Sequence, residues 1–592
     1  MLETDVLIVG CGPAGGAAAL TLSTYGIDNM VINKYGWTAK LPRAHITNQR
    51  TLEVLRDMGI EEESKLHSVP QEFMANNVFC TSLAGEEFGR IHAWGNHPTR
   101  KAEYELASPC GYCDLQQPKM EPLLLGHATK RGSKVRFNTE YLSLEQNEDH
   151  VIATVKDRLT GESYKIKCKY LIGADGGNSK VAEDLGLKME GKMGVSGSMN
   201  ILFEADLTKY VEYRPSVLYW ILQPGSDIGG VGMGVIRLVE RWNKWLVVWG
   251  YDINQGKPEM TDEHVISILH NLIGDDSLDI NVEAYSFWTV NDMYATELHK
   301  GRVFCVGDAI HRHPPTNGLG SNVSIQDSYN LAWKMAMVLK GQAAPSLLES
   351  FDEERLSVAK QTCYRANKSI SDFGGIFGAL GLFDTHDPEV MKQRIDGRKD
   401  DSPEGSKKRE ALNAAIDFTN YVYNAHGIEM NQRYTSRAVI PDGTPGPGYS
   451  RDEELYYEAT TYPGAKLPHV WLRKIGDTKK VISTLDLVGK GRFTLITGIG
   501  GHDWVHAVSH FKEQSDIKME VFVLGPGQDY EDIFGDWMHV RGIQEDGCLL
   551  VRPDGHIAWR QQERAGNAVE ELFNTMSQLT GKTIPVKEAT VS

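Results

Sequence analysis

Gly10, Gly12 and Gly15 stand in the run Gly10-Cys11-Gly12-Pro13-Ala14-Gly15, at the spacing G-x-G-x-x-G. In that spacing the first glycine permits a tight turn and the second lets backbone approach a pyrophosphate. The third lets a helix pack closely on a strand. Two further turns carry acids beside glycine. One is Asp175-Gly176 with Ser179; the other is Gly307-Asp308-Ala309, followed by His311, Pro314, Pro315, Gly318, Gly320, Ser321 and Asn322. An aspartate there can accept a ribose or ribitol hydroxyl where a longer side chain would clash.

Each turn needs a strand before it and a helix after it. Asp5 to Val9 is an apolar, β-branched run that reads as a buried parallel strand, and Ala14, Ala17, Ala18 and Leu22 continue at helical spacing. The free N–H groups of that helix start, beginning at Pro13 and Ala14, would face phosphate oxygens. Asn29 to Asn33 reads as the next strand, ending on Asn33-Lys34 where such folds usually carry an acid for the ribose. Tyr170 to Asp175 and Val303 to Asp308 repeat the strand-to-turn arrangement, with Ser179 placed to cap a helix. Ser324 to Lys340 then runs at helical spacing, with Ala332, Met335, Ala336 and Leu339 as its buried stripe. Its start would offer donors to the electron-rich pyrimidine end of a flavin. Each turn alone could be an ordinary strand end that binds nothing. Together, in this order, they describe one FAD site.

The 592 residues exceed one compact core, so two or three domains are expected. Lys and Arg total 62 against 79 Asp and Glu, a net charge of −17 with no basic stripe, which argues against nucleic acid as a partner. The first strand starts almost at Met1 and the longest apolar runs, such as Gly375 to Phe383, are far too short to span a bilayer. A cytoplasmic protein with no membrane partner is the expectation. Among eight cysteines only Cys110 and Cys113 form C-x-x-C, and without a partner pair they read as plain thiols. His311 and His313, two residues apart with no carboxylate cluster, do not make a metal site.

The expected fold class is α/β, a discontinuous Rossmann-like FAD-binding domain with an inserted mixed-sheet substrate domain. Residues 1–185 and 289–383 form the FAD-binding parts, 186–288 the sheet domain, and 384–450 a helical and linker segment. Residues 451–592 form a C-terminal domain in which Arg492 to Thr497 and Met519 to Leu524 read as strands around a helix near His502 to Glu513. Gly197 to Ala205, Ser216 to Gln223, Gly230 to Val239 and Lys244 to Tyr251 read as strands of the inserted sheet. Gly229-Gly230-Val231-Gly232-Met233-Gly234 imitates a dinucleotide turn, but no helix pattern follows, so a second nucleotide domain is not expected.

Across Gly10 to Gly15, Pro42-Arg43-Ala44, Tyr170 to Ser179 and Gly307 to Lys334 the chain resembles the single-component flavoprotein aromatic hydroxylases, and within them the phenol hydroxylases. The resemblance implies bound FAD, NADPH as cosubstrate with NADH as the alternative, and O2 captured as a flavin C(4a)-hydroperoxide that ortho-hydroxylates a phenol to a catechol. It also implies a thioredoxin-like C-terminal domain. That domain has no C-x-x-C at its helix start, so a packing or dimer-contact role in a homodimer or higher homo-oligomer is expected. Removal of everything after Ser450 would then disturb association more than flavin spectra.

The resemblance assigns roles residue by residue. Arg43 would lie over the flavin, Gln117 would contact it, and Pro314 and Pro315 would stand at the face where oxygen adds. His311 would brace its turn. His45 occupies the place of a family aspartate, and either takes the phenol's proton or only orders its loop. Gly10, Gly12, Pro13, Ala14, Gly15, Asn33, Lys34, Asp175, Gly307, Asp308, Gly318, Gly320, Ser321 and Asn322 complete the cofactor set. Trp220, Met233, Trp249 and Trp288 are candidate substrate walls or plain core, and Asn291, Asp292 and Tyr294 candidate contacts to the substrate hydroxyl. A hydroxylase of a resorcinol, hydroxybenzoate or polyketide phenol, and a non-catalytic FAD-binding protein, remain alternatives.

Overall fold

Strand β1 (Leu2–Val9) enters helix α1 (Pro13–Thr24) through the glycine turn and is followed by β2 (Asn29–Ile32). Helix α2 (Gln117–Lys130) precedes β3 (Lys134–Arg136), and β4 (Ser163–Gly173) ends at the Asp175 turn before α3 (Lys180–Leu185). The chain then leaves this layer for β5 (Met189–Glu204), β6 (Ser216–Ile221), β7 (Gly234–Glu240), β8 (Lys244–Tyr251), α4 (Asp262–Ile273) and β9 (Asn281–Ala295). It returns as β10 (Val303–Cys305), followed by α5 (Gly320–Leu339) and α6 (Ser350–Asp372). This computed structural model describes residues 1–223, 233–383, 385, 387–477 and 479–586.

Strands β10, β4, β1, β2 and β3 lie side by side and parallel, so the ends of β1, β4 and β10 open on one edge. Val6, Leu7, Ile8, Val31 and Ile172 are buried, as expected for strands covered on both faces. Helix α1 packs against α2 and α5, which brings the starts of α1 and α5 to that edge.

The inserted sheet runs β9, β5, β8, β7, β6, continues into Asn76–Cys80 and Glu87–His92, and carries His311–Arg312 beside β9 on its other edge. The expected 186–288 boundary is therefore too narrow. Two strands come from residues 76–92 of the first segment, and β9 continues to Ala295. Val78, Phe79 and Cys80 are fully buried because Asn76–Cys80 pairs in parallel with β6, a long-range pairing without local pattern. Of the glycine run, Gly229, Gly230, Val231 and Gly232 lie outside the described residues; Gly234 opens a strand.

The sheet has two distinct faces. One carries Ile236, Leu238, Trp245 and Val247 against Val265, Leu269 and Leu272 of α4. The other carries Leu202, Val239 and Leu246, which pack with Leu41 of the FAD domain. Side chains alternate between these faces by strand parity, so register decides which ones can reach the cofactor.

In the C-terminal domain β11 (Phe493–Thr497), α7 (His502–Gln514) and β12 (Met519–Val523) form a parallel βαβ unit. β13 (Cys548–Val551) and β14 (Ile557–Gln561) add antiparallel strands, and α8 (Ala568–Thr580) closes the thioredoxin-like order. This domain is joined to the FAD domain by buried ion pairs. Arg552 binds Glu354 of α6, Lys466 binds Glu53 at 2.9 Å, and the Tyr329 hydroxyl of α5 donates to the Pro553 carbonyl at 3.1 Å. Of the two expected roles, packing and dimer contact, these bonds supply the first, because the domain's charges complete the interior of the cofactor domain.

Among the described residues no helix is long and apolar enough to cross a membrane, and no cluster of His, Cys, Asp and Glu could hold a metal ion. Cys110 and Cys113 are free and buried.

Candidate active site

The three glycines of the first turn meet different surroundings. A Cβ on Gly10, whose φ is +102°, would stand 2.2 Å from the Ala174 carbonyl oxygen, and one on Gly15 2.0 Å from the Gly10 oxygen. Gly12 is open: its nearest neighbour would be Glu121 Oε1 at 3.8 Å. Gly10 and Gly15 are thus required by the fold, while Gly12 presents bare backbone to the cleft. No side chain caps α1 and no acid occupies its first turn, so the N–H groups after Pro13 and Ala14 remain available to an anion. The same holds at α5, which starts at Gly320-Ser321.

The other cofactor candidates divide into ligand-facing and structural groups. Asp308 is exposed at the end of β10. Asp175 is committed to its own turn, accepting from the Ser179 hydroxyl at 2.5 Å and from the backbone N–H groups of Lys180 and Val181. Asn33 donates to the Trp37 carbonyl at 3.1 Å and shapes the loop after β2, and Lys34 is exposed beside Tyr35. Asn322 accepts from the Asn48 N–H and donates to the Ile46 and Gly318 carbonyls, fixing α5 to the strand Ile46–Thr47. Gly307 and Gly318 have φ of +65° and +64°, and a Cβ on Gly307 would press on Ser324 and Ala14. His311 is buried with Nε2 2.8 Å from Asp327 Oδ2, and Asp327 also accepts from the Gly307 N–H and the Arg355 guanidinium. These bonds brace the turn that carries buried Pro314 and exposed Pro315.

His45 lies where the two domains meet. Its Nδ1 is 2.9 Å from Asp114 Oδ2, and the Asp114 side chain is fully buried. Cys113–Asp114 pairs with Ile46–Thr47, so backbone register sets this dyad. Arg237 reaches from β7 and donates to the Pro42 and Arg43 carbonyls, while its Nε and Nη2 find no partner among the described residues. Burial and then Arg237 push the His45 ring below its ordinary value, against the opposing pull of Asp114. Burial lowers Arg237 itself to about 10. Gln117 binds the same loop, its N–H donating to the Ala44 carbonyl at 2.9 Å and its side chain to Glu121 at 2.7 Å. Arg43 is exposed on that loop.

Residues 3–366 match the family model for an FAD binding domain, and residues 460–583 that for the C-terminal domain of aromatic-ring hydroxylases. The chain belongs to the FAD-dependent aromatic-ring hydroxylases. It is 56% identical to 2,4-dichlorophenol 6-monooxygenase of Delftia acidovorans, over 97% of each chain. To phenol 2-monooxygenase of Pseudomonas sp. (strain EST1001) it is 49% identical, over 100% of this chain and 94% of that one. Among solved structures, the flavin-dependent monooxygenase PieE in complex with FAD and substrate aligns with TM-score 0.94 and 41% identity, over 98% of this chain and 99% of that one.

The hydroxylase has a cofactor edge that fits FAD. The bare face of Gly12 and two uncapped helix starts supply backbone donors, and Asp308 supplies an exposed acceptor. Glu121, buried behind Gly12 and raised by that burial, was not evident in sequence; it accepts from the Ala39 N–H at 2.7 Å.

Strand parity sorts the candidate walls of the hydroxylase. Trp220 is paired with Val235, Val235 with Val248, and Val248 with Asn200, on the face that also carries Arg237. Trp288 shares that face, donating to Asn200 Oδ1 at 2.9 Å. Trp249 does not: it pairs with Gly234, where a Cβ would strike Leu272 of α4 at 2.7 Å. It therefore belongs to the face turned away from the cofactor. Met233 stands at the start of β7 against the sheet's apolar cluster. Asn291 is used within the sheet, accepting from the Gly194 N–H and donating to the Thr289 carbonyl. The Tyr294 hydroxyl donates to Glu190 at 2.6 Å in an exposed pair, so both side chains already have partners within the sheet. Asp114 and Arg237 are the site residues that sequence reasoning missed. A lone arginine inside the apolar run Gly234-Val235-Ile236-Arg237-Leu238-Val239 was the available signal.

Proposed function

We propose that this hydroxylase uses NADPH and O2 to convert a phenol, including chlorinated phenols, to the corresponding catechol, with His45 accepting the phenolic proton. The names of the relatives supply the substrate class, and the His45–Asp114 dyad beside Arg237 is the observation that carries the reading. Bound FAD, reduced by NADPH, supplies the electrophilic oxygen atom. One oxygen of O2 enters the ring and the other leaves as water.

The protein's part is to make the ring carbon electron-rich and to keep water out. Asp114 accepts the Nδ1 proton of His45, leaving Nε2 as the acceptor for the phenol hydroxyl. A neutral His45 is available at neutral pH because burial and Arg237 hold its proton affinity down. The Arg237 charge favours the phenolate that results. Leu202, Val239 and Leu246 close the joint with Leu41 and exclude solvent.

The decisive experiment is anaerobic reduction of the bound flavin by NADPH, followed by absorbance, with a panel of phenols and hydroxybenzoates. Phenols should accelerate reduction strongly, and an aerobic assay should then yield catechol carrying one atom of labelled O2. Flavin reduction indifferent to every aromatic would remove the reading.

The pH profile offers a second check. kcat/KM should fall as pH drops through the His45 value, below the usual ~6.5, because the imidazolium cannot accept a proton. Asp114→Asn removes the contribution that raises this value, so the acid limb should move to lower pH. The plateau should drop roughly tenfold, since the tautomer is no longer fixed.

A further inference from the structure

Trp220 occupies the cofactor-side face of the sheet, two residues beyond Leu218, which pairs with Arg237. Two residues along a strand span about 7 Å, close to the width of one substituted benzene ring. Trp220 packs on Phe373 at 4.5 Å between ring centroids, and Phe373 meets Tyr423 edge-on at 6.3 Å. Trp94 closes the group, 5.7 Å from Tyr423 and also edge-on. This aromatic box is tied to the cofactor edge. Asn317, in the turn after Pro315, donates to the carbonyls of Tyr421 and Val422, next in chain to Tyr423.

Two buried polar atoms of the box are left without an ordinary hydrogen bond. The Tyr423 hydroxyl is buried and, like the Trp220 indole N–H, has no hydrogen-bond partner among the described residues. A tyrosine hydroxyl both donates and accepts, so the Trp220 ring beside this group does not use up its proton. Burying an unused hydroxyl costs stability, so an apolar ring would serve better if packing were its only task.

We propose that Tyr423, with Trp220 behind it, forms a second polar anchor for the substrate, on the cofactor-side face of the sheet beyond Arg237. It takes a hydrogen-bond-accepting substituent of the phenol: a ring halogen, or a carbonyl or nitro oxygen. This rests on the reading of His45 as the group at the phenol hydroxyl, and it makes Tyr423 a specificity-determining residue. Arg237 and His45 fix one end of the ring, and the Tyr423 donor selects what the other end carries.

The test is Tyr423→Phe, which deletes one oxygen, compared with the parent on phenol, 4-chlorophenol and 4-hydroxyacetophenone. Dissociation constants are read from the perturbation of the bound flavin's spectrum, and turnover from catechol formed. The variant should bind 4-hydroxyacetophenone about fivefold more weakly, the loss of one neutral hydrogen bond. 4-Chlorophenol, a poorer acceptor, should lose less, and phenol should be unchanged. Trp220→Phe should give the same order of losses. Equal losses on all three compounds, or none, would overturn the anchor. Failure of the parent to hydroxylate phenol at all would instead strike the His45 reading, and binding constants alone would still judge the anchor.

Discussion

Replacing His45 by alanine should lower kcat for phenol about a hundredfold while leaving the bound flavin content unchanged. The magnitude is the lower end of what a positioned base contributes, because a phenol can lose its proton to water in the slower path. The flavin should stay because the loop around His45 is held by backbone: Ala44 bonds to Gln117, and the Pro42 and Arg43 carbonyls to Arg237. The side chain itself contributes one contact, to Asp114. Alanine leaves that buried carboxylate without its donor, at a cost of about 1–3 kcal/mol, so His45→Gln is the companion variant. Glutamine can donate to Asp114 but is no base. Both variants should be slow on phenol. Both should recover in part on more acidic phenols such as 2,4-dichlorophenol or 4-nitrophenol, whose hydroxyl is partly ionised near neutral pH. Parallel loss of rate and flavin in both, regardless of phenol acidity, would leave His45 only a role in ordering the loop.

The cofactor half of this site was legible because its signals are local. Glycine spacing and a strand before each turn are properties of a few consecutive residues, and they located Gly10 to Gly15, Asp308 and the start of α5. Helix α5 begins at Gly320, a turn earlier than the apolar stripe from Ser324 suggests, since its first residues face the cofactor edge. The substrate half depends on register between strands far apart in sequence. Trp220, Trp249 and Trp288 are alike in sequence, yet pairing sends Trp249 to the α4 face. Asp114 reaches His45 only because Cys113–Asp114 pairs with Ile46–Thr47, across nearly seventy residues (69 for the bonded pair). Asp175 has a task that its motif does not announce: its carboxylate caps the start of α3.

The largest stability effect should come from Arg552, far from the chemistry. Its guanidinium is fully buried between Glu354 of α6 and Asp554. Glu354 in turn accepts from Lys334 at 2.8 Å, Asn330 at 2.6 Å and Ser436 at 2.6 Å, so one carboxylate links α5, α6 and the C-terminal domain. Arg552→Met would leave Glu354 to Lys334, and Asp554 to the more distant charge of Arg50, a loss of about 3–5 kcal/mol. The thermal midpoint should fall, and flavin should be released at the same temperature, because α5 carries the cofactor edge. The pH dependence has a definite sign. In the parent, Arg552 holds Glu354 and Asp554 well below the usual carboxylate range against their burial, so their stabilisation is present above the unfolded values and lost only in strong acid. Without Arg552 both carboxyls move upward, so the deficit should be greatest at neutral pH and shrink as pH falls toward 5. Glu354→Leu combined with Arg552→Met should recover part of the loss, since it removes the pair rather than one partner. Truncation after Ser450 removes Arg552 and Lys466 together, leaving buried Glu354 with Lys334 and buried Glu53 with Arg50 as their remaining cations in the FAD domain. The truncated chain should therefore lose flavin. A truncated chain that kept its flavin and thermal midpoint would mean these buried charges are satisfied without the C-terminal domain.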